Sequence, residues 1–392
     1  MTRQILVLLT TASLLAAGSA GLAQQQPYPQ PLAVESTGGV AELPAKYPDT
    51  YVFVSDLHFS SLLDGRAALI DVADPTHGFK GQLRLAQFGN YLVAPKSGAI
   101  YTSETFFSRL TRGERVDVLT AWDPRTLAPK GEVILPGNKR GHFVTQPNAL
   151  QFTNDEKWAL VYNFTPAASV TVVDLVGLKV LGDVGIPGCA LAYPTGPRGF
   201  STLCGDGAWT TVELNADGSV ASSKSTKPLM DIDKDPWFMI PAMAGRTAWF
   251  VSYLGQVRGF DLSGAAPKAV GNFALVTNPS AAAGPRPGGW QVTAADPAGH
   301  IYILVNPNGR EGTHKDGGSE VWVADPVGGK VARKIALRQT ALSIEVTLGA
   351  KPLLVAAQPG GNLDVYDAVT GTFLHTIFQA VHDPFVMSAA GK

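Results

Sequence analysis

Cysteine is nearly missing from this chain. Only Cys189 and Cys204 occur in 392 residues, 15 positions apart. Taken alone, the pair is open to three readings: a metal site, a redox dithiol or a disulfide. Charge is also scarce. Charged residues make up 16% of the chain, against roughly 25% in typical globular proteins. Formal net charge is −1, which excludes a phosphate-binding basic excess and with it a nucleic-acid partner. The seven His are scattered, and no two have the i, i+4 spacing of a helical zinc pair. No G-x-S-x-G elbow, Walker loop or dinucleotide fingerprint occurs. Asp231, Asp233 and Asp235 in MDIDKDPW imitate the start of a calcium loop. Pro236 stands where that loop needs Gly, and Ala242 where it needs Glu. This segment reads as a solvated turn. No long segment has helical periodicity, and after the N-terminus no apolar run is long enough to span a bilayer.

The N-terminus does carry a signal. MTRQILVLLTTASLLAAGSAGLAQQQ has Arg3, an apolar run over 5–17, and small residues before a Gln-rich stretch. This is the layout of a cleavable secretory peptide over 1–23, with cleavage after Ala23 or Ala20. It predicts export to a bacterial periplasm without a membrane anchor. Residues 24–48 read as an extended lead-in.

Turn formers are abundant, with Gly 42 and Pro 28. Between the turns one unit recurs seven times. An apolar, β-rich strand is followed by a second strand that often ends in Asp and a Gly-bearing turn. First strands read TYVFVSD, GAIYTSE, WALVYNF, RGFSTLC, RTAWFVSY, HIYILVN and PLLVAAQ, starting 40 to 60 residues apart. Second strands include RAALIDVADPTHG, RVDVLTAWDPRTL and SEVWVADPVGG. Short strands bounded by Gly, Pro, Asn and Asp indicate antiparallel sheet. Units repeating at this period indicate an all-β, seven-bladed β-propeller of four-stranded antiparallel blades over 49–392. The strand-ending Asp is expected to bond turn amides. Segments 105–114 and 272–287 read as loop insertions. Arg109, Arg112 and Arg115 in SRLTRGERVDV form a basic cluster at the first of these, a solvated basic face or an ion-pair donor to a partner.

SRLTRGERVDVLTAWDPRTL (108–127), FTPAASVTVVDL (164–175), RPGGWQ (286–291) and EGTHK (311–315) carry the chain further. With them it resembles the heavy subunits of tryptophan-tryptophylquinone amine dehydrogenases over essentially the whole mature length. STLCGDG, DKDPWFMIPA and FVSYLGQV are closer to the aromatic amine branch than to the methylamine branch. The resemblance implies a propeller subunit without a cofactor or catalytic residue of its own. It implies a separate light subunit bearing tryptophan tryptophylquinone and the catalytic Asp, in an α2β2 heterotetramer. The reaction implied is oxidative deamination of a primary, aromatic amine to aldehyde and ammonia, with electrons passing to a blue-copper carrier. The chain alone is expected to be inactive, and its Trp residues are expected to be core and interface aromatics. In SDLHFSSLLDG (55–65), Phe59 and Leu62 match the position where the family lines its substrate channel. The alternatives are a methylamine dehydrogenase heavy subunit, or a stand-alone periplasmic propeller that binds a ligand without redox work.

The family also carries a Cys pair at the place and spacing of Cys189 and Cys204. Export, the lack of C-x-x-C and the lack of nearby further ligands agree with a disulfide. It is expected to staple a turn ahead of the fourth repeat to the strand ending at Cys204.

Overall fold

A computed structural model describes residues 41–59, 64–278 and 282–391. The expected signal peptide, most of the lead-in and Leu62 lie outside them. Within 41–48, Leu43 donates its amide to Arg125 O at 2.8 Å. The Tyr47 hydroxyl bonds Pro124 O, and its ring packs near Tyr51 and Phe53.

Seven antiparallel sheets form the chain from Ala41 to Lys392. Six have four strands. In the sixth blade the innermost position is shared by Ala283–Pro287 and Thr293–Ala295, making a fifth. Each quoted strand pair of the sequence is the middle of one blade. Blade 1 has Tyr51–Asp56 and Gly65–Asp71, blade 2 Ile100–Arg109 and Arg112–Trp122, and blade 4 Gly199–Cys204 and Trp209–Leu214. Middle strands are sandwiched between neighbouring blades. All six residues of Tyr51–Asp56 and of Trp158–Asn163 are buried. Outer strands such as Lys179–Gly185 are mostly exposed. In all seven blades the pairing of third to outermost strand shifts register near the third strand's end. Such bulges increase local twist, and blades packed round a ring need twist.

The strand-ending aspartates act as expected. Asp71, Asp123, Asp174, Asp261, Asp325 and Asp367 each accept one or more amides of the turn that follows. These bonds hold the carboxyls of Asp123, Asp325 and Asp367 below their ordinary range.

The ring closes with the chain's own ends. Pro384–Ala389 is the innermost strand of blade 1, paired to Tyr51–Asp56 with Val52 opposite Ala389 and Val54 opposite Met387. Gln291 crosses the same seam. Its Nε2 donates to Ile344 O at 3.0 Å and Met387 O at 3.1 Å, and Met387 N donates to its Oε1 at 3.0 Å. One buried side chain thus joins blades 6, 7 and 1. The Gln291 amide also reaches Glu345 Oε2 at 3.0 Å. Burial pushes the Glu345 carboxyl up to about 7.

Two expectations are corrected here. Segment 105–114 is no loop insertion: it is a continuation of two strands into a hairpin, with Thr105 opposite Asp117 and Phe107 opposite Arg115. In 272–287, the ends belong to Lys268–Ala274 and Ala283–Pro287. Cys189 is bonded to Cys204, but not from a turn. It opens the innermost strand Cys189–Pro194 and lies directly opposite Cys204. The turn ends one residue earlier, at Gly188 with φ +76°.

A Cys189→Ser, Cys204→Ser double variant is expected to lose about 3 kcal/mol, the loop-closure value for a crosslink of this span. Thermal unfolding of the oxidised wild type against the variant measures it. Glu345 gives a pH signature of opposite sense to the turn aspartates. The unfolded chain ionises it near the ordinary carboxylate pKa, while the folded chain holds its proton up to about 7. Its ionisation therefore opposes folding as pH rises through that window, by on the order of 3 kcal/mol. Glu345→Gln is expected to raise Tm at pH 8 and leave it nearly unchanged at pH 4.5. An equal shift at both values would refute the assignment.

Candidate substrate-facing site

Antiparallel pairing sends one set of connections to one end of the ring. Innermost strands begin there, second strands finish there, and the chain crosses there between blades. Phe59 follows the second strand of blade 1, so it lies at this end. It is 38% exposed.

Polar groups hold Phe59 in place. Asp56, 2% exposed, ends the strand and accepts the amides of His58 at 3.2 Å, His382 at 3.0 Å and Asp383 at 2.9 Å. The Arg66 guanidinium lies 3.5 Å from it. Asp383 in turn accepts the Phe59 amide at 2.8 Å and bonds His382 Nδ1 at 2.9 Å. His58 Nδ1 lies 3.0 Å from Asp64 Oδ1, and the His58 and His382 rings meet edge-on at 5.4 Å. The loop start is thereby fixed to the residues preceding the closing strand.

Around Phe59 runs a row of aromatic rings drawn from distant sequence positions. Phe59 meets Phe385 at 5.3 Å and Phe88 at 6.1 Å, both edge-to-face. Phe385 meets Trp290 at 5.6 Å, and Trp290 Nε1 donates to Thr145 O at 3.0 Å. Phe88 and Phe107 both lie against the His142 ring, at 5.5 and 5.9 Å. Burial, then the positive charges of Arg140 and Arg115, lower the His142 pKa, so its ring is neutral near pH 7. Its Nε2 is buried and has no hydrogen-bond partner among the described residues.

Beneath the row sits a buried ionic cluster at the hairpin's base. Asp117 is fully buried. It accepts Thr105 Oγ1 at 2.7 Å, Arg115 Nε at 2.9 Å and the Arg140 amide at 3.0 Å. Arg140, 1% exposed, spreads its guanidinium to Ser103 Oγ, Thr105 Oγ1 and Phe88 O. Burial lowers its pKa to about 10, which leaves it charged at neutral pH. A buried charge needs such saturation with partners to be tolerated.

Of the residues singled out in sequence, the structure thus brings Phe59 to this face and pins Arg115 to the hairpin base. Arg109 and Arg112 remain exposed. Asp231 and Asp235 cap local amides, including those of Asp233 and Leu254. Phe88, Phe107, His142, Trp290 and Phe385 carry no local sequence signal for the site, although RPGGWQ contains one of them. Six of the seven Trp are 7% exposed or less. Trp209 and Trp237 pack with Phe250 and Phe260 in the core. Two grooves, of about 570 and 410 Å³, lie between blades 5 and 6 and between blades 2 and 3. Their linings, Trp249 and His300 in one and Tyr101 and Trp122 in the other, are away from Phe59. Among the described residues no group of three or more His, Cys, Asp or Glu is placed to hold a metal ion. None of their helices is long and apolar enough to cross a membrane.

Comparison with known proteins agrees with this architecture. Among solved structures, a putative 6-phosphogluconolactonase from Bacteroides fragilis superposes with TM-score 0.57 at 13% identity, over 89% of this chain and 98% of that one. A dihydro-heme d1 dehydrogenase gives TM-score 0.53 at 16% identity, over 89% of this chain and 78% of that one. These likenesses speak to the fold alone. Sequence relatives go further. The methylamine dehydrogenase heavy chain of Methylorubrum extorquens is 29% identical over 96% of this chain and 93% of its own length. That of Paracoccus versutus is 30% identical over 82% and 79%. The family model described as methylamine dehydrogenase heavy chain matches residues 67–391. The chain is therefore a member of the methylamine dehydrogenase heavy chain family, an amine dehydrogenase heavy subunit built as a seven-bladed propeller.

Proposed function

We propose that this chain works in the periplasm as the heavy subunit of a quinoprotein amine dehydrogenase. Its light subunit carries tryptophan tryptophylquinone and the catalytic Asp, and two of each subunit form an α2β2 heterotetramer. The reaction is oxidative deamination of a primary amine to aldehyde and ammonia, with electrons leaving to a blue-copper carrier. The quinone, when present on the light subunit, supplies the two-electron oxidation. The burial of six of this chain's seven Trp residues supports placing that group on the partner.

The observation that carries the reading is Phe59: held by its amide on Asp383, partly exposed, and backed by Phe88 and Phe385. It forms one wall of the substrate channel; Leu62, matched to the channel by the same resemblance, lies outside the described residues. A rigid aromatic wall takes up an amine's hydrocarbon body with little entropic loss and keeps water from it. Three aromatic rings in this wall, with STLCGDG and DKDPWFMIPA, support the aromatic amine branch.

Two experiments test this. The purified chain alone should oxidise no amine, and coexpression with its light subunit should bring activity. Oxidation of phenethylamine or methylamine by the chain alone would refute the division of labour. In the complex, Phe59→Ala should lower kcat/KM for phenethylamine about tenfold, the equivalent of about 1.4 kcal/mol. Methylamine, which reaches less of the wall, should lose much less. Equal losses for both amines would remove Phe59 from the channel.

A further inference from the structure

The hairpin of blade 2 is built for more than its blade requires. Second strands elsewhere are five or six residues long, except in blades 2 and 6, where they reach ten. In blade 6 the extra length is covered, because Ala283–Pro287 pairs along it. In blade 2 the innermost strand pairs only as far as Ser103. From Phe106 to Val116 the hairpin has no third strand, and it rises roughly 13 Å beyond the sheet at about 3.3 Å per residue.

A two-stranded hairpin alone is marginal in water. Here one face is anchored. Phe107 lies against His142, and Arg115 is bound by Asp117 and by Arg140 O. The other face and the tip are bare. Phe106 and Val116 sit opposite each other, both exposed, and Leu110 at the turn is 72% exposed. Arg109 and Arg112 form the closing cross-strand pair. Neither has a carboxylate within ion-pair distance among the described residues. Like charges directly opposite each other destabilise a hairpin, so the chain by itself gains nothing from this arrangement.

We propose that this hairpin is a preorganised docking arm for the light subunit, its two tip arginines taking carboxylates of that subunit and Phe106, Leu110 and Val116 covering an apolar strip beside them. The proposal rests on the heavy-subunit reading above. Two observations select this occupant. The tip's charge calls for an anionic counter-surface. The arm's anchored face continues through Phe107, His142 and Phe88 to Phe59, so a partner seated on the arm also reaches the substrate-facing wall. An arm fixed at its base loses little conformational freedom on binding.

The test uses the coexpressed holoenzyme, with subunit dissociation followed by analytical ultracentrifugation at low and high salt. Wild-type assembly should weaken as salt rises, because exposed ion pairs are screened. Arg109→Glu with Arg112→Glu should weaken assembly 10- to 100-fold at low salt, by rough scaling of rim-charge effects, and remove most of the salt dependence. Arg109→Lys with Arg112→Lys should keep most of the affinity. The melting temperature of the free chain should stay unchanged in both variants, since the tip contributes nothing to the blades' shared core. Unchanged assembly in the charge-reversed variant overturns the proposal. Unchanged assembly with slower reduction of the soluble electron carrier also overturns it, and would give the arm to that carrier. If the wild-type chain forms no complex with the light subunit, the heavy-subunit reading fails first. That result is visible before any variant is made.

Discussion

The pairing of Tyr51–Asp56 with Pro384–Ala389 is the constraint on which the rest depends. It joins the first blade's second strand to the last strand of the chain, so that blade 1 is completed by both ends of the sequence. Strand edges are a hazard in any open sheet, and radial packing of blades leaves only short, protected ones. The closure also builds the candidate site around Phe59. Asp56 ends one of the paired strands and accepts the amides of His382 and Asp383 just before the other begins. Asp383 then holds Phe59, and Phe385 supplies the ring against which Phe59 rests. A loosened closure would therefore move the wall as well as weaken the fold.

Buried polar groups carry much of the positioning at this end. Gln291 ties three blades through one amide. Asp117 and Arg140 fix the blade 2 hairpin and, through Phe88 O, one member of the aromatic row. Buried hydrogen bonds of this kind add modestly to net stability, but each is costly to leave unmade. They specify one arrangement of loops that apolar packing alone would leave ambiguous. The Nε2 of neutral His142 is one of several buried polar atoms without a hydrogen-bond partner among the described residues.

Middle strands were legible in sequence for a physical reason. Blades press on both of their faces, so strands such as WALVYNF and TYVFVSD are apolar nearly throughout. Innermost strands such as Thr293–Ala295 are too short for a pattern, and outer strands such as Val220–Ser225 are solvated and polar. The repeat count was therefore readable, whereas the full strand inventory was not. The hairpin at 105–114 has the polar and Gly-bearing composition of a loop because most of its tip faces solvent. Pro187 and Gly188 give the segment before Cys189 the signature of a turn, yet cross-strand pairing starts at Cys189 itself.

By itself, the sequence determined the repeat period and the Asp-bearing turns that follow the third strands, because these depend on neighbouring residues. Phe59 was singled out only through motifs shared with a family, and its place in the substrate channel is a proposal. Tertiary structure alone decided what surrounds Phe59. Phe88, His142, Trp290 and Phe385 are up to roughly 300 positions apart in the chain. They meet only because ring closure brings the crossings between blades to one end. No local pattern encodes that meeting, since each ring is an ordinary aromatic or imidazole side chain within its own segment.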